Sequence, residues 1–431
     1  MEMRAARTRS ILLGALIAAG FWAGTSQAQF VSDPVGFFGV TFRGHSQIAF
    51  NPGLVNPVEI AGQVAAVSGN TLSFAYAGDA PEAELFPEGG HFAVYDGGLP
   101  GLNLDATTVT RISPELVELT FSRTVDGLVS VDDLVTLRRH TTLADFFGAN
   151  NEAGIAGGTS AELADNIAIW NSERQTSQIF YWHTSDGFVE AGKENEGDKA
   201  SVPIRFPNGA MFTRRAAGDV TFTRAGHVLV PSEQQLFPVS QGNNLVACSL
   251  WVSDSTSFEF SDYRLFEPGS PFSVQAGATA NEADVIIHSG MDTGLVSKPL
   301  YYQTDAGGGH WQFIGGGDAG GHTVNGFATI QLFRSGADGF IKFAGTSIAP
   351  SPEPKAGGAS QEVVDFELAI AARDQFDLSW RSSATSTYQV QTRPARRGQW
   401  TNLGPPIPGS GGKLSETVTL AGTGEVRIIK P

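Results

Sequence analysis

Apolar and polar residues alternate in short runs along most of the chain, and turn-forming residues separate these runs. The segment Gly62–Tyr76 holds two runs on either side of Ser68-Gly69-Asn70, which predicts a β-hairpin. The segment Thr108–Phe121 repeats this pattern around Ser113-Pro114-Glu115, and Asp126-Gly127 marks a further turn. Because β-branched and aromatic residues dominate the runs and 52 glycines punctuate them, the pattern predicts an all-β fold.

Helix-like patterns are limited to two short segments. These are "TTLADFF" (Thr141–Phe147) and "SAELADN" (Ser160–Asn166). Each contains a Ser or Thr whose side chain is able to cap the first turn of a helix. We therefore expect two short helical turns within a fold of strands.

One aromatic phrase occurs twice, as "FYWHTSDG" from Phe180 and as "LYYQTDAG" from Leu300, at an offset of 120 residues. Two further phrases match in the same order. "LADNIAIW" from Leu163 matches "EADVIIHS" from Glu282 at an offset of 119, and "PNGAMFTRR" matches "VNGFATIQLF" at 117. Offsets that drift by a few residues are typical of a diverged duplication whose loops have changed length, so we predict two copies of one structural unit.

The two predicted copies span about Thr141–Gly226 and Ser255–Gly345. An apolar run that follows a glycine precedes each copy: Gly242–Leu250 before the second copy and, as a weaker match, Gly44–Pro52 near the start of the chain. If the copies superpose, Tyr181 should lie over Tyr301, and Asn208 over Asn325.

The repeated aromatics stand at alternate positions of a predicted strand, so Trp182 and Tyr302 should face away from Tyr181 and Tyr301. Packing within the core and across the hairpin is the interpretation that we favour, because cross-strand aromatic pairs stabilise hairpins. The alternative is a surface on which a sugar stacks. The candidate ligand-contact residues for that alternative are Tyr181, Trp182, Tyr301, Tyr302 and Trp311.

The first residues have the pattern of a signal peptide. Three arginines precede an apolar stretch, Ile11–Gly24, and the small residues Ser26 and Ala28 favour cleavage before Gln29. The stretch is short for a membrane span, which needs about 20 apolar residues. We expect a protein exported to the periplasm, the outer surface or the extracellular space, without an integral membrane span in the mature chain. An uncleaved N-terminal anchor is the alternative.

The formal net charge of −16 argues against nucleic acid and anionic membranes as partners, because their binding requires clustered Lys and Arg. The partners that remain are cell-surface polysaccharide and other envelope proteins. The single cysteine, Cys248, cannot form an internal disulfide and lies among apolar residues, which favours a packing role.

The sequence contains no catalytic, cofactor-binding or metal-binding motif, so we predict no enzyme activity and no cofactor. Three alternatives are weaker. His310 and His322 flank a glycine-rich loop, where they would form a metal pair if they met. The acidic segments Asp126–Asp133 and Asn195–Asp198 carry oxygen ligands suited to Ca²⁺, although solvated turns are the favoured interpretation. A pair of carboxylates for glycoside hydrolysis is the third alternative.

The phrase "SDPVGFFGVTFRGHSQIAFNP" (Ser32–Pro52), followed later by "TTLADFF" and "FYW", resembles a large, uncharacterised paralogous family of secreted proteins of Verrucomicrobia. Proteins of this family begin with an Asp-Pro-Val-Gly-aromatic phrase soon after signal cleavage. The resemblance covers about Asp33 to Gly345. It implies an exported, β-rich protein and assigns neither an activity nor a functional residue.

A Pro-, Gly- and Ser-rich linker, Thr346–Ser360, precedes a segment of different character. Residues 361–431 resemble the fibronectin type III-like sandwich that closes many exported proteins of the same bacteria. The segment ends in "EVRIIKP" instead of the usual aromatic-Tyr-Arg-Val, and it is short enough for one sheet to be incomplete. The resemblance implies a spacer or adhesive module with a core of Trp380, Tyr388, Val390, Trp400 and Leu403.

The expected architecture is all-β, with duplicated modules that are each a sandwich or barrel-like. We predict the following divisions: signal peptide 1–28, N-terminal β module 29–140, first copy 141–254, second copy 255–345, linker 346–360 and fibronectin type III-like domain 361–431. The expected function is that of an exported, non-catalytic structural protein of the envelope or extracellular space. A carbohydrate-binding or adhesion protein is the alternative, and a secreted hydrolase is the third interpretation.

Overall fold

The computed structural model confirms the all-β class. It describes residues 35–76, 90–227, 229, 234–248, 258–291, 293–305, 308–324, 328–343, 362–364, 367–372, 375–393, 400–420 and 424–430. Strands dominate these residues. The predicted signal peptide and the predicted linker lie outside the described residues.

Strands β1 (Val35–Phe42) and β2 (Gln47–Phe50) come first. Six strands follow, and these are β3 (Val58–Ser68), β4 (Thr71–Tyr76), β5 (His91–Asp96), β6 (Leu102–Ser113), β7 (Leu116–Phe121) and β8 (Leu134–Arg139). The six strands pair in the order β6-β5-β8-β3-β4-β7, and β7 pairs with β6 again, so the sheet closes on itself. We call residues 58–139 the closed sheet. Both predicted hairpins, β3–β4 and β6–β7, are confirmed within it.

The closed sheet is filled by side chains, because alternate positions of each strand point inward. Phe74, Tyr95, Leu104, Leu119 and Leu137 are among the buried residues of its core.

The next elements complete a unit that we call repeat 1, which consists of residues 35–55 and 141–227. They are β9 (Thr141–Thr142), helix α1 (Leu143–Phe147), β10 (Asn166–Asn171), β11 (Thr176–His183), β12 (Gly187–Glu190), 3₁₀-helix η1 (Glu194–Glu196), β13 (Pro203–Ile204), β14 (Ala210–Thr213) and β15 (Val220–His227).

Repeat 1 is built around one five-stranded sheet of order β12-β11-β10-β14-β2, accompanied by a β9–β13 pair and a β1–β15 pair. Helix α1 confirms the first helical prediction, since Thr142 caps it and Asp145 completes the capping box. Its phenylalanines join an aromatic core in which Phe42 stacks on Phe212 with ring centroids 4.0 Å apart.

Repeat 2 covers the described residues between 235 and 343. Its elements are β16 (Gln235–Val239), β17 (Gly242–Cys248), β18 (Phe258–Glu259), 3₁₀-helix η2 (Phe260–Tyr263), β19 (Val285–Gly290), β20 (Leu295–Val296), β21 (Leu300–Asp305), β22 (Gly308–Phe313), β23 (Thr323–Val324), β24 (Ala328–Arg334) and β25 (Gly339–Phe343).

The main sheet of repeat 2 has the order β22-β21-β19-β24-β17, with a β18–β23 pair and a β16–β25 pair beside it. Each of these strands has its counterpart in repeat 1, in the same order along the chain and in the sheet. The structure therefore contains two repeated sheet modules, and the closed sheet is inserted between β2 and β9 of the first.

The C-terminal segment forms one further sheet and extends the β1–β15 pair into a second, and we call the strands of this segment the C-terminal sandwich. Its strands are β26 (Glu362–Val364), β27 (Glu367–Ala372), β28 (Gln375–Arg381), β29 (Thr387–Arg393), β30 (Thr401–Asn402), β31 (Ile407–Pro408), β32 (Lys413–Thr419) and β33 (Gly424–Lys430). One sheet has the order β27-β28-β32. In the other, β29 lies between β30 and β33, and β33 also pairs with β26.

The core of the sandwich contains Trp380, Tyr388 and Val390 as predicted, and Leu403 packs against it. Trp400 differs from the prediction. Two guanidinium groups lie over its ring, those of Arg393 at 4.4 Å and Arg427 at 4.1 Å from the ring centroid. Cation–π attraction, together with partial exposure, places this side chain at the margin of the sheet.

The first strand of each repeat also joins a neighbouring module. Strand β1 pairs with β15 on one side, and on the other its Val35–Phe37 pairs with β33 of the C-terminal sandwich. Strand β16 pairs with β25 and meets β6 of the closed sheet through Leu236 and Leu102. Sheet hydrogen bonds thus cross the predicted divisions at 140 and 254, because pairing joins strands that lie far apart in sequence.

Two sequence-based predictions were wrong in detail. Residues 160–163 form turns instead of a helix, because the segment folds back around Asp165, whose N–H donates to the carbonyl of Ala156 at 2.9 Å. The offset of 117 does not hold in the last matched phrase. Ile167 pairs with Phe212, whereas its equivalent Ile286 pairs with Leu332, so the strand register gives an offset of 120. Asn325 itself lies outside the described residues.

Candidate functional site

A buried ion pair stands at the centre of repeat 1. Asp165 has no solvent exposure, and its carboxylate bonds the guanidinium of Arg214. Two backbone N–H groups also donate to it, from Ala156 at 2.8 Å and from Arg215 at 2.8 Å. The charge is therefore compensated and hydrogen-bonded, as a buried carboxylate requires.

Repeat 2 reproduces this arrangement atom by atom. Arg334 donates to the buried carboxylate of Asp284 at 2.8 Å. The backbone N–H groups of Gln275 and Ser335 donate to the same carboxylate, each at 2.8 Å. Sequence reasoning did not select these residues, although the matched phrases contain both aspartates. The signal was a carboxylate kept in both copies beside apolar positions.

The first repeated tyrosine is buried in both repeats. Tyr181 has no exposure, and its hydroxyl donates to Glu194 at 3.1 Å. Burial, helped by the Glu194 carboxylate, raises the pKa of Tyr181 to about 12. Tyr301 is 7 % exposed, and its hydroxyl donates to Gln312 at 3.4 Å. Neither ring is available for a sugar to stack on.

The second aromatic of each phrase faces the opposite side of the strand, as predicted, and packs against the main core of its repeat. The half-buried Trp182 meets Phe188 edge-on, with centroids 5.1 Å apart. Tyr302 stacks on Phe266 at 3.9 Å and meets the buried Trp311 edge-on at 5.2 Å. Tyr181 belongs to a separate small cluster with Ala164 and Val189, so the five candidate aromatics are dispersed and do not form one exposed platform.

The acidic segments lie in turns that their carboxylates stabilise. Asp126 accepts the Gly69 N–H at 2.9 Å, Asp133 accepts the Ser130 N–H at 2.9 Å, and Asp198 accepts the Phe188 N–H at 3.0 Å. Within the part of the chain that the structure describes, no group of three or more His, Cys, Asp or Glu side chains is placed to hold a metal ion.

A polar cleft with a volume of about 50 Å³ lies where the closed sheet meets repeat 1. That volume holds a few water molecules or one small polar group. Two ion pairs lie along its walls: Arg205 bonds Asp105 at 3.1 Å, and Arg123 lies 3.6 Å from Glu173. The lining also includes the polar or aromatic side chains of Ser122, Trp170, Asn171 and Asn208.

Both ring nitrogens of a buried histidine beside this cleft form hydrogen bonds within the protein, which indicates a structural role. His140 is buried, and its Nδ1 accepts the N–H of Phe206 at 3.0 Å. Its Nε2 therefore carries the proton and donates to Asp105 at 2.8 Å. With both ring nitrogens engaged, His140 has no free lone pair with which to act as a general base. Its bond to Phe206 links the closed sheet to the segment before β14.

Among the described residues, no helix is long and apolar enough to cross a membrane. The sequence matches no family model, no curated protein and no solved structure.

Proposed function

We propose that the protein is an exported, non-catalytic structural protein of the envelope or extracellular space. The proposal rests on the buried side chains that the two repeats have in common. Both retain a buried carboxylate–guanidinium pair and a buried tyrosine, and in both repeats these groups bond to other groups of the same module. A duplicated catalytic or binding site would instead keep side chains that reach a ligand. The resemblance to secreted proteins of Verrucomicrobia and the fibronectin type III-like C-terminal segment support the same role.

Cell fractionation followed by N-terminal sequencing tests the export that this function requires. We expect the protein outside the cytoplasm, beginning at Gln29 or within a few residues of it. A cytoplasmic product that begins at Met1 would contradict the proposal.

Carbohydrate binding is the second candidate, and the cleft is the observation that favours it. Its guanidinium and amide side chains, beside the Trp170 ring, are groups that bind hydroxyls, and its volume of about 50 Å³ admits one hydroxyl-bearing arm of a sugar rather than a whole ring. A glycan array probed with the full chain tests it. Binding that Asn171→Ala and Arg205→Ala both abolish, and that the exposed control Arg174→Ala retains, would establish a sugar site in the cleft and overturn a purely structural role.

A further inference from the structure

Repeat 2 carries two histidines where repeat 1 carries aliphatic residues. The strand registers of β10 and β19 place His288 where repeat 1 has Ile169. The carbonyl of His322 accepts the first N–H of η2, from Phe260 at 2.8 Å, as the carbonyl of Val202 accepts the first N–H of α1 at 3.0 Å. In repeat 1, Ile169 and Val202 belong to the apolar core or pack against it.

The two histidines of repeat 2 lie against each other. Their ring centroids are 5.9 Å apart and the ring planes are nearly perpendicular, at 79°. The ring of Phe313 also lies 5.6 Å from that of His322. His288 is buried, whereas His322 is half-buried, which leaves an approach to the pair from the side of His322.

Both histidines bury their Nε2 atom without a hydrogen-bond partner. A buried polar atom without a partner costs about 1–3 kcal/mol, so two such atoms on neighbouring rings require an explanation. Burial, together with the neighbouring His322, lowers the pKa of His288 to about 3, and burial also lowers the pKa of His322. An unpartnered imidazole nitrogen is one that offers a lone pair to a metal ion.

The dimensions fit one ion between the rings. A metal–nitrogen bond to imidazole is about 2.0–2.1 Å long, so two rings on opposite sides of one ion have centroids about 6 Å apart. Imidazole is a ligand for zinc, copper, iron and nickel. A monovalent ion fits this pair best. No carboxylate completes a three-ligand group among the described residues, and the desolvation cost rises with the square of the charge, so a monovalent ion loses about a quarter as much as a divalent one.

We propose that His288 and His322 bind one copper(I) ion through their Nε2 atoms. The ion satisfies both buried nitrogens at once, and two imidazoles complete a two-coordinate site. The earlier pairing of His322 with His310 is replaced, since His310 is exposed and its Nδ1 lies 3.9 Å from Asp305.

Anaerobic titration of the full chain with copper(I), in competition with a chromophoric chelator, tests this site. We expect one equivalent to bind, and at least tenfold weaker binding in His288→Ile and in His322→Val. These variants install the residues that repeat 1 uses at the same positions, so packing is kept. His310→Gln is the matched control and should bind as the wild type does. Absence of binding in the wild type, or unchanged affinity in the double variant His288→Ile/His322→Val, overturns the proposal.

X-ray absorption at the copper edge of the wild-type complex gives a readout that does not depend on how the variants fold. We expect two nitrogen neighbours at about 2 Å with the multiple scattering of imidazole rings. A spectrum dominated by sulfur, or one without imidazole scattering, contradicts the assignment. Zinc(II) in the same competition should bind more weakly, and tighter binding of zinc than of copper(I) would refute the choice of ion.

Discussion

Repeats 1 and 2 have the same arrangement of strands, and they differ in an inserted sheet and in two histidine side chains. Both have the same five-stranded order, the same two accessory strand pairs and the same buried carboxylate–guanidinium pair. They differ in the segment between the second strand and the short helix, where repeat 1 contains the closed sheet, and in the core, where repeat 2 has His288 and His322. We infer that the shared features are required for the module to fold. A property that only one repeat has should depend on the features found in that repeat alone.

The two repeats also use their first strand in the same way for different neighbours. Strand β1 connects repeat 1 to the C-terminal sandwich, and β16 connects repeat 2 to the closed sheet. In each repeat, the edge of the first strand that its own module leaves open pairs with a strand of a different module. An unpaired edge invites aggregation, so this arrangement protects both edges while it joins the modules.

The largest effect is expected from breaking the shared ion pair. Asp165→Ala and Asp284→Ala each leave a largely buried arginine side chain, 9 % and 12 % exposed, without its carboxylate, which costs about 3–5 kcal/mol of unfolding free energy. Urea denaturation should show losses of similar size for the two variants. The exposed control Asp186→Ala should change stability by less than about 0.5 kcal/mol. A loss confined to one aspartate would show that the repeats do not share this requirement.

Truncating the repeated aromatics comes next. Tyr181→Ala and Tyr301→Ala remove large buried side chains and should each cost about 3–5 kcal/mol, with Trp182→Ala and Tyr302→Ala towards the lower end because these rings are half-buried. Thermal melting measures the loss, and a glycan screen should show no change. Four variants of wild-type stability that lose binding to a glycan would instead establish a sugar platform.

A smaller effect is expected where the first strands meet their neighbouring modules. Val35→Ala and Leu236→Ala should each cost about 1.5–3 kcal/mol, since both side chains are buried. Hydrogen exchange should locate the two losses differently. Val35→Ala should speed exchange in β29 and β33 of the C-terminal sandwich, and Leu236→Ala should speed it in β5 and β6. Equal acceleration everywhere would mean that the first strands do not connect particular modules.

The smallest effect is a loss of stability at alkaline pH that depends on Tyr181. The folded-state pKa of Tyr181 is raised to about 12, from a value of about 10 in unfolded chains. Its contribution to stability is therefore complete below about pH 10 and is lost as the pH rises towards 12, because the unfolded state releases its proton first. The urea midpoint of the wild type should fall across that window. The midpoint of Tyr181→Phe should fall less over the same pH window.

The sequence by itself determined the local features. Alternating runs and turn residues predicted the β3–β4 and β6–β7 hairpins, a Thr cap predicted the helix at Thr142, and matched phrases predicted the repeated module. Each of these depends on residues close together in the chain, where backbone geometry and turn chemistry leave few choices.

Only the tertiary structure decided which distant strands pair. It added β1 to repeat 1, closed the sheet of residues 58–139 within that repeat, and shifted the register of the last matched phrase, whereas the weaker match of Gly44–Pro52 with Gly242–Leu250 had already indicated the place of β2. It also brought His288 to His322 and placed Trp400 beside two arginines. The alternation of apolar residues states which face of a strand is buried. It does not indicate which strands pair, because the backbone hydrogen bonds between paired strands are the same for every residue except proline.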